Sequence, residues 1–416
     1  MTEASGRRPA GESVLGALRE RPEDQDLWDR LRVRQFPGAR INLDPGAIAT
    51  PAQAVRAAMQ GFWDDELFAY PEGQVQRGRA ERRRARALAA ALWGGDPPAL
   101  TAGTSEALRT IASALSERLG GSESPLLLTS GHEHPGATAA FEPGFRAAIL
   151  PDAALRDPAA AGAIAAAQRP AILLLSQVTY TIGQVIPVRE IAAAVRAAAP
   201  EVFVIVDAAQ ALGLVPPALT GADFVVASGH KWLFGPPGVG LAWASTRARS
   251  ELPLLTAGDA SEEGGCAGLE RRGAHDFSVY AGLAAALDLH AALGQVALKR
   301  SRTLAAWLAR ELHERLLAAG VAHQFFDPVT GEERETPPTA DGLLATVSVT
   351  LPAVDVEAVC ASLQPAGIHV RCVHERRAAG KRTPLLRLGA PCYESTARVR
   401  RAVDALVAAV PHAGRV

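Results

Sequence analysis

Apolar residues along this chain fall into two kinds of run, and their alternation predicts the architecture. Between Leu100 and about Ala244, short continuous apolar stretches recur at Pro125–Thr129, Ala147–Leu150, Ala171–Ser176, Val202–Asp207, Phe224–Ser228 and Gly240–Ala244. Ala-rich helical segments near Ser105–Leu119, Ala159–Gln168 and Arg189–Ala199 separate several of them. Unbroken apolar strands alternating with helices predict a mostly parallel sheet buried on both faces. After about Gly258 the pattern changes: a Gly-rich loop at 263–268 precedes long helices around Asp276–Leu293 and Leu298–Ala319. Strands at Leu343–Val349, Ile368–Cys372 and Leu385–Leu388 and helices at Val354–Leu363 and Thr396–Val410 follow. The reading is therefore an α/β protein with a large domain over 41–258 and a smaller α+β domain over 259–416. Residues 1–40 form an N-terminal segment, with a charged helix across Leu15–Phe36, expected to pack with the small domain.

Composition adds exclusions. The 416 residues are 48% hydrophobic and 21% charged, with a net charge of -1. That leaves no global field to recruit nucleic acid or an anionic membrane. The Arg-dense stretch Arg77–Arg86 continues into a strongly helical segment without interleaved aromatics, so it reads as a solvated helix face. The apolar stretch from Ala159 to Leu175 is broken by Gln168, Arg169 and Pro170, which argues against a membrane span. Four cysteines, Cys266, Cys360, Cys372 and Cys392, show no metal-ligand spacing and read as reduced thiols in a cytoplasmic protein.

Chemistry concentrates at the predicted strand ends. The run Val204-Ile205-Val206-Asp207 ends in a carboxylate, and ligands of doubly wound sheets bind beyond the carboxyl ends of their strands. The next run ends in Ser228-Gly229-His230-Lys231, followed by the Gly/Pro-rich turn 234–240. A lysine amine and a carboxylate at adjacent strand ends suit pyridoxal 5'-phosphate (PLP). The amine forms a Schiff base with the cofactor aldehyde, and the carboxylate keeps the pyridine nitrogen protonated. Singly, each residue is ordinary: strand-end aspartates cap turns and lysines are solvated. Thr104-Ser105, opening a helix, offers free backbone N–H groups and hydroxyls to a phosphate, although it also reads as a simple N-cap. The loop Gly131-His132-Glu133-His134 presents an imidazole able to cover a cofactor ring. Its three adjacent polar side chains are poorly placed to chelate one metal ion, so no metal is expected.

At these residues the chain resembles the class V aminotransferase family. This branch of fold-type I PLP-dependent enzymes includes cysteine desulfurases, selenocysteine lyases and isopenicillin N epimerase. The resemblance runs from Asn42-Leu43-Asp44 to Arg387 and is most specific over SGHKWLFGPPGVG at 228–240. It implies that Lys231 carries the cofactor, Asp207 faces its pyridine nitrogen and Gln210 donates to its phenolic oxygen. It further implies that Thr104, Ser105, Ser228 and His230 bind phosphate and that His134 stacks on the ring. Arg387 would clamp a substrate carboxylate, with Arg371 as a second candidate. The chain departs from the family at four places. Tyr180 stands where desulfurases carry an asparagine, and Ala274 replaces a threonine that reaches the phosphate of a partner subunit, with His275 as its substitute. Desulfurases with a related segment carry a cysteine close to the position of Arg376, and Cys372 is offset from it by several residues. Cys266 lies in a loop that related enzymes place near the opposite subunit's site.

These implications give a homodimeric PLP enzyme acting at the α-carbon of an amino acid or aminated metabolite, in a specialised branch such as secondary metabolism. Transamination, C–S lyase or desulfurase chemistry, epimerisation and decarboxylation (oxidative decarboxylation included) stay open. A non-catalytic PLP-fold scaffold is the competing reading, opposed by the completeness of the residue set.

Overall fold

A computed structural model describes residues 14–65, 70–121, 124–256, 267–270, 275–376 and 382–412. Seven strands form the large sheet in the order Ala99–Thr101, Gly240–Ala244, Phe224–Ser228, Phe203–Asp207, Ile172–Ser176, Leu126–Ser130, Arg146–Leu150. The last five are mutually parallel; Gly240–Ala244 runs antiparallel to Phe224–Ser228, and Ala99–Thr101 antiparallel to Gly240–Ala244. The four strands 126–130, 172–176, 203–207 and 224–228 are buried at every position, which is why their sequences do not alternate. Successive side chains feed opposite cores. Leu173, Leu175, Val204 and Val206 join one, whereas Ile172, Leu174, Phe203 and Ile205 join the other. Ser176 pairs directly with Asp207, so the carboxyl ends form a common rim.

The small domain has a five-stranded antiparallel sheet, in the order Glu333–Arg334, Gln324–Phe326, Thr346–Thr350, Arg382–Gly389, Arg371–Arg376. The helices Val356–Leu363 and Thr396–Ala409 cover it. Ser348 pairs with Arg387, and Arg371 also pairs with Arg387 across the neighbouring strand, which centres Arg387 in this sheet.

The domain limits differ from those read along the sequence. The two helices expected on either side of residue 294 are one, Ser278–Ala318, broken only by a non-helical backbone at Gly294 (φ 52, ψ -141). Its residues up to Leu298 lie in the large core and those from Leu304 onward in the small one, so the two units join inside this helix and not near 259. By length and composition the helix is apolar enough to cross a membrane, but its apolar residues are consumed by the two cores. The N-terminal segment divides as well. Helices Val14–Glu20 and Gln25–Gln35 place Leu18, Leu27, Trp28 and Leu31 in the large core, whereas residues 38–40 meet the small domain as expected, their carbonyls accepting from Arg398 and Arg401 of helix Thr396–Ala409. The Asp24 side chain caps the second helix, accepting from Asp26 N and Leu27 N, and this splits the single helix expected across 15–36. Ile41–Asn42, by contrast, pairs with Ile368–His369, and Ile41 and Leu43 enter the small core.

The Arg-rich stretch lies in the helix Pro71–Trp93 and is an ion-paired seam more than a solvated face. Arg77 reaches Glu81 (3.2 Å), Arg82 and the buried Arg86 converge on Glu270 (3.2 and 3.5 Å), and Arg84 contacts Asp288.

Candidate active site

Lys231 follows the strand Phe224–Ser228 in a turn closed by backbone bonds. Gly229 N donates to Val239 O (3.0 Å), Gly235 N to Gly229 O (2.9 Å) and Phe234 N to Lys231 O (3.0 Å). The turn lies hard against Gly213 (φ 95), where an added Cβ would sit 2.5 Å from the carbonyl carbon and oxygen of Trp232. The neighbouring strand ends at Asp207, whose Oδ1 accepts from Ala209 N (2.8 Å). The Lys231 pKa is lowered to about 8, chiefly by burial with Arg387 adding to it, against the opposing charges of Asp207 and Asp44. Burial raises the Asp207 carboxyl, and Lys231 pulls it back down. Lysine and aspartate thus meet at one cavity, of about 410 Å³, at the carboxyl rim of the sheet.

One wall of that cavity is the start of the helix Thr104–Leu119. The N-cap is Gly103 (φ 154), which supplies no side-chain cap, so first-turn N–H groups face the cavity. Thr104 Oγ1 and Ser228 Oγ are 2.7 Å apart, and Ser105 lines the same wall. His230 also lines the cavity, and its buried Nδ1 has no hydrogen-bond partner among the described residues. Burial first, then Lys231, lowers its pKa to about 4, so the ring is neutral at physiological pH.

The opposite wall carries His134. Its loop is tied down by Glu133, buried between two strands. Ser130 Oγ donates to Glu133 Oε1 (2.6 Å), Ser176 N to Oε1 (3.0 Å) and Ser176 Oγ to Oε2 (2.5 Å). Burial raises the Glu133 pKa to about 7. Gly136 N donates to His134 Nδ1 (3.0 Å), and the ring meets Tyr180 edge-on, centroids 5.1 Å apart. Burial and the cations Lys231, Arg387 and Arg371 lower the His134 pKa to about 4.

The small domain supplies Arg387, Arg371 and Cys372. Arg387 does not present an open fork: its Nη1 donates to Tyr180 O (2.8 Å) and its Nη2 to Asp44 Oδ1 (2.7 Å). Its guanidinium also sits 5.3 Å from the centre of the Tyr180 ring. Arg371 Nε donates to the other Asp44 oxygen (3.0 Å). Cys372 borders the cavity, but burial with Glu357 and Asp355 pushes its thiol up to about 11.

Two expected residues stand elsewhere. Gln210 does not line the cavity: its Nε2 donates to Gly46 O (2.8 Å), and its Oε1 accepts from Trp232 Nε1 (2.9 Å). The indole beside Lys231 thus draws the amide away from the cofactor seat. His275, expected to serve a partner subunit's phosphate, does not line its own chain's cavity, which that role does not require, and its Nε2 lies 2.8 Å from the Tyr280 hydroxyl. Ala274 and Cys266 lie outside the described residues. The segment 44–48 is what sequence reasoning missed. Gly46, Ala47 and Ile48 line the cavity mouth, and Asp44 neutralises the arginines. A carboxylate directly before the Pro45-Gly46 turn was the available signal.

These groups fit PLP. The uncapped helix start and the Thr104–Ser228 pair match its phosphate, Asp207 its pyridine nitrogen and Lys231 its aldehyde, while His230 retains an unpartnered nitrogen in the same wall.

Comparisons with known proteins agree. A cysteine desulfurase of Yersinia pseudotuberculosis serotype IB (strain PB1/+) is 30% identical over 167 residues, 38% of this chain and 40% of that protein. The match thus spans well under half of the curated relative. The cysteine desulfurase of Thermococcus onnurineus NA1 superposes with a TM-score of 0.73 at 19% identity, covering 92% of this chain and 98% of its own. Two structures of the cystine C-S lyase C-DES superpose with a TM-score of 0.72, each over 90% of this chain and 98–99% of its own. One holds the reaction product cysteine persulfide, at 20% identity to this chain; the other is a lysine-to-alanine variant with glycine covalently linked to the PLP cofactor, at 19%. At such identities the likeness is one of fold. The aminotransferase class-V profile, however, matches residues 41–375, most of the chain. The chain therefore belongs to the class V aminotransferase family, enzymes of fold type I that depend on pyridoxal 5'-phosphate.

Proposed function

We propose that this protein is a PLP-dependent enzyme acting at the amine-bearing carbon of a small amino compound. The observation that carries the reading is the convergence of Lys231, Asp207 and the uncapped start of helix Thr104–Leu119 on one cavity. The cofactor supplies an electron sink for the bond that breaks at that carbon. Lys231 would hold the cofactor, and its amine would move a proton at the reacting carbon. A pKa near 8 makes it an effective acid or base close to neutrality. Asp207 keeps the pyridine nitrogen protonated, and Thr104, Ser105, Ser228 and the helix start hold the phosphate. His134 covers one side of the cavity as a neutral imidazole, fixed in orientation by Gly136 N–H.

Transamination and C–S bond cleavage remain the two reactions to separate. Names of relatives favour the second. Transfer of sulfur to a thiol at the family's usual place is disfavoured, because that place lies close to Arg376 and the offset Cys372 thiol stays protonated at neutral pH. The same reading includes a homodimer in the cytoplasm. Three unpaired cysteines, Cys360, Cys372 and Cys392, fit a reducing compartment.

The test is reduction of the loaded protein with borohydride, followed by peptide mass mapping. A pyridoxyl adduct on Lys231, absent from Lys231→Ala, is expected; a covalent adduct retained by that variant defeats the assignment. Product analysis with an amino-acid panel then separates the reactions. One stoichiometric burst of keto acid means transamination, whereas continued release of sulfide with ammonia means C–S cleavage.

A further inference from the structure

The cationic end of the cavity is built around a carboxylate that belongs to the protein. Arg387, only 5% exposed, has both terminal nitrogens committed, to Tyr180 O and to Asp44. Arg371 is 51% exposed and gives Asp44 its Nε, and its two terminal nitrogens have no hydrogen-bond partner among the described residues.

Asp44 is not a loose side chain that happens to lie nearby. Its segment is stitched at both ends. Leu43 N donates to His369 O (2.8 Å), Gly389 N to Leu43 O (2.6 Å) and Asp44 N to Asn42 Oδ1 (2.9 Å). Beyond the turn, Asn42 Nδ2 donates to Ile48 O (2.9 Å), Gln210 Nε2 to Gly46 O (2.8 Å) and Ala49 N to His230 O (2.8 Å). The turn is drawn down so tightly that a Cβ on Gly46 would lie 3.1 Å from Arg387 Nη2. A carboxylate held in this way is a standing competitor for any carboxylate a ligand would bring to Arg387.

The two arginines also differ in depth. Arg387 is 5% exposed and Arg371 51%, and both line the same cavity. A ligand anion excluded from Arg387 by Asp44 meets its next free donors at Arg371, nearer the solvent.

We infer that Asp44 is a specificity-determining residue that moves the anion seat from Arg387 out to Arg371. The substrate class it selects is an amino compound whose acidic group lies several bonds beyond the amine-bearing carbon, in preference to a compact α-amino acid. This rests on the PLP reading given above and names the substrate class of that same site.

The test uses the PLP-loaded protein, with L-alanine and 4-aminobutyrate as probes carrying the same charges at short and long separation. Dissociation constants are taken from the change in cofactor absorption at equilibrium, a binding readout that needs no turnover. The native protein is expected to bind 4-aminobutyrate about tenfold more tightly than alanine, the scale of one charge-assisted hydrogen-bond set. Asp44→Asn frees Arg387 and is expected to tighten alanine binding by about tenfold, with a smaller change for 4-aminobutyrate. Arg371→Gln, an exposed strand position that folding tolerates, is expected to weaken 4-aminobutyrate by about tenfold and leave alanine unchanged. It keeps the test decisive where Asp44→Asn lowers the melting temperature too far for titration. Native preference for alanine, equal response to the two amines, or weaker alanine binding in Asp44→Asn overturns the inference. A native protein that takes up no cofactor defeats the reading of the site itself, a distinct failure visible before any amine is added.

Discussion

Glu133 is a buried carboxyl whose cost can be measured as a function of pH. Its ordinary pKa of 4.5 is raised to about 7 in the folded protein, chiefly by burial, against the hydrogen bonds from Ser130 and Ser176 and with repulsion from Asp207. Below about 4.5 the group is protonated in both folded and unfolded chains, and the stability it allows is fully present. Between 4.5 and 7 the unfolded chain ionises first, so stability falls as pH rises, by about 1.4 kcal/mol per pH unit. Above 7 the loss is complete, at about 3 kcal/mol. Glu133→Gln keeps an acceptor for Ser176 N–H and cannot ionise. The variant is therefore expected to melt near the native temperature at pH 5 and a few degrees above it at pH 8. Thermal unfolding of both proteins across pH 5–8, at one saturating cofactor concentration so that ligand linkage is common to both, gives the comparison. A difference that does not change with pH refutes the argument, and so does a native protein that is the more stable of the two at pH 8.

Three further outcomes are expected. Covalent loading of PLP onto the cofactor-free protein requires a neutral Lys231. Its rate, followed by absorption, should rise about tenfold from pH 7 to pH 9 and flatten there; a rate still climbing steeply beyond pH 9 would mean an amine of ordinary basicity. Gly213→Ala forces a Cβ to 2.5 Å from the Trp232 carbonyl at a positive φ, so a loss of at least about 2 kcal/mol, with cofactor shed on dialysis, is expected. A melting temperature equal to native would show that the turn bearing Lys231 yields. Ser228→Ala removes the hydroxyl that meets Thr104 and should weaken PLP affinity about tenfold in equilibrium dialysis while sparing the stability of the cofactor-free protein; unchanged affinity would take Ser228 out of the phosphate site.

Most of the large sheet was legible because its strands are continuous apolar runs with polar ends, and the predicted and observed limits agree to within about a residue. Lys231 and Asp207 were legible for a chemical reason: each terminates such a run, and the cofactor needs both. What sequence could not show depends on distance along the chain. Asp44 and Arg387 are 343 residues apart, and no local pattern states that one will occupy the other's fork. The resemblance implied a cofactor contact for Gln210, but the partner that engages its amide, Trp232, lies on the next strand's turn. The helix Gln53–Trp63 escaped notice because it starts at Ala52 with no side-chain cap, so the usual start signal is missing. Gly294 did announce a break, but the chain resumes its helix at once where a turn was expected.

That break has a mechanical meaning. The reacting amine is seated by the sheet whose core embraces the first part of helix Ser278–Ala318, and the anion by the sheet that grips the rest. The two sheets share no strand, so the gauge between amine and anion is set where the units meet: along this helix with its break at Gly294, through the strap of residues 43–49, and through the loop 180–184, where Tyr180 O accepts from Arg387 and Thr181 O from Ser348 Oγ. The pocket's reach is in this sense a span between two footings, held partly by the cavity-lining strap residues 46–48 and partly by a helix that does not line the cavity.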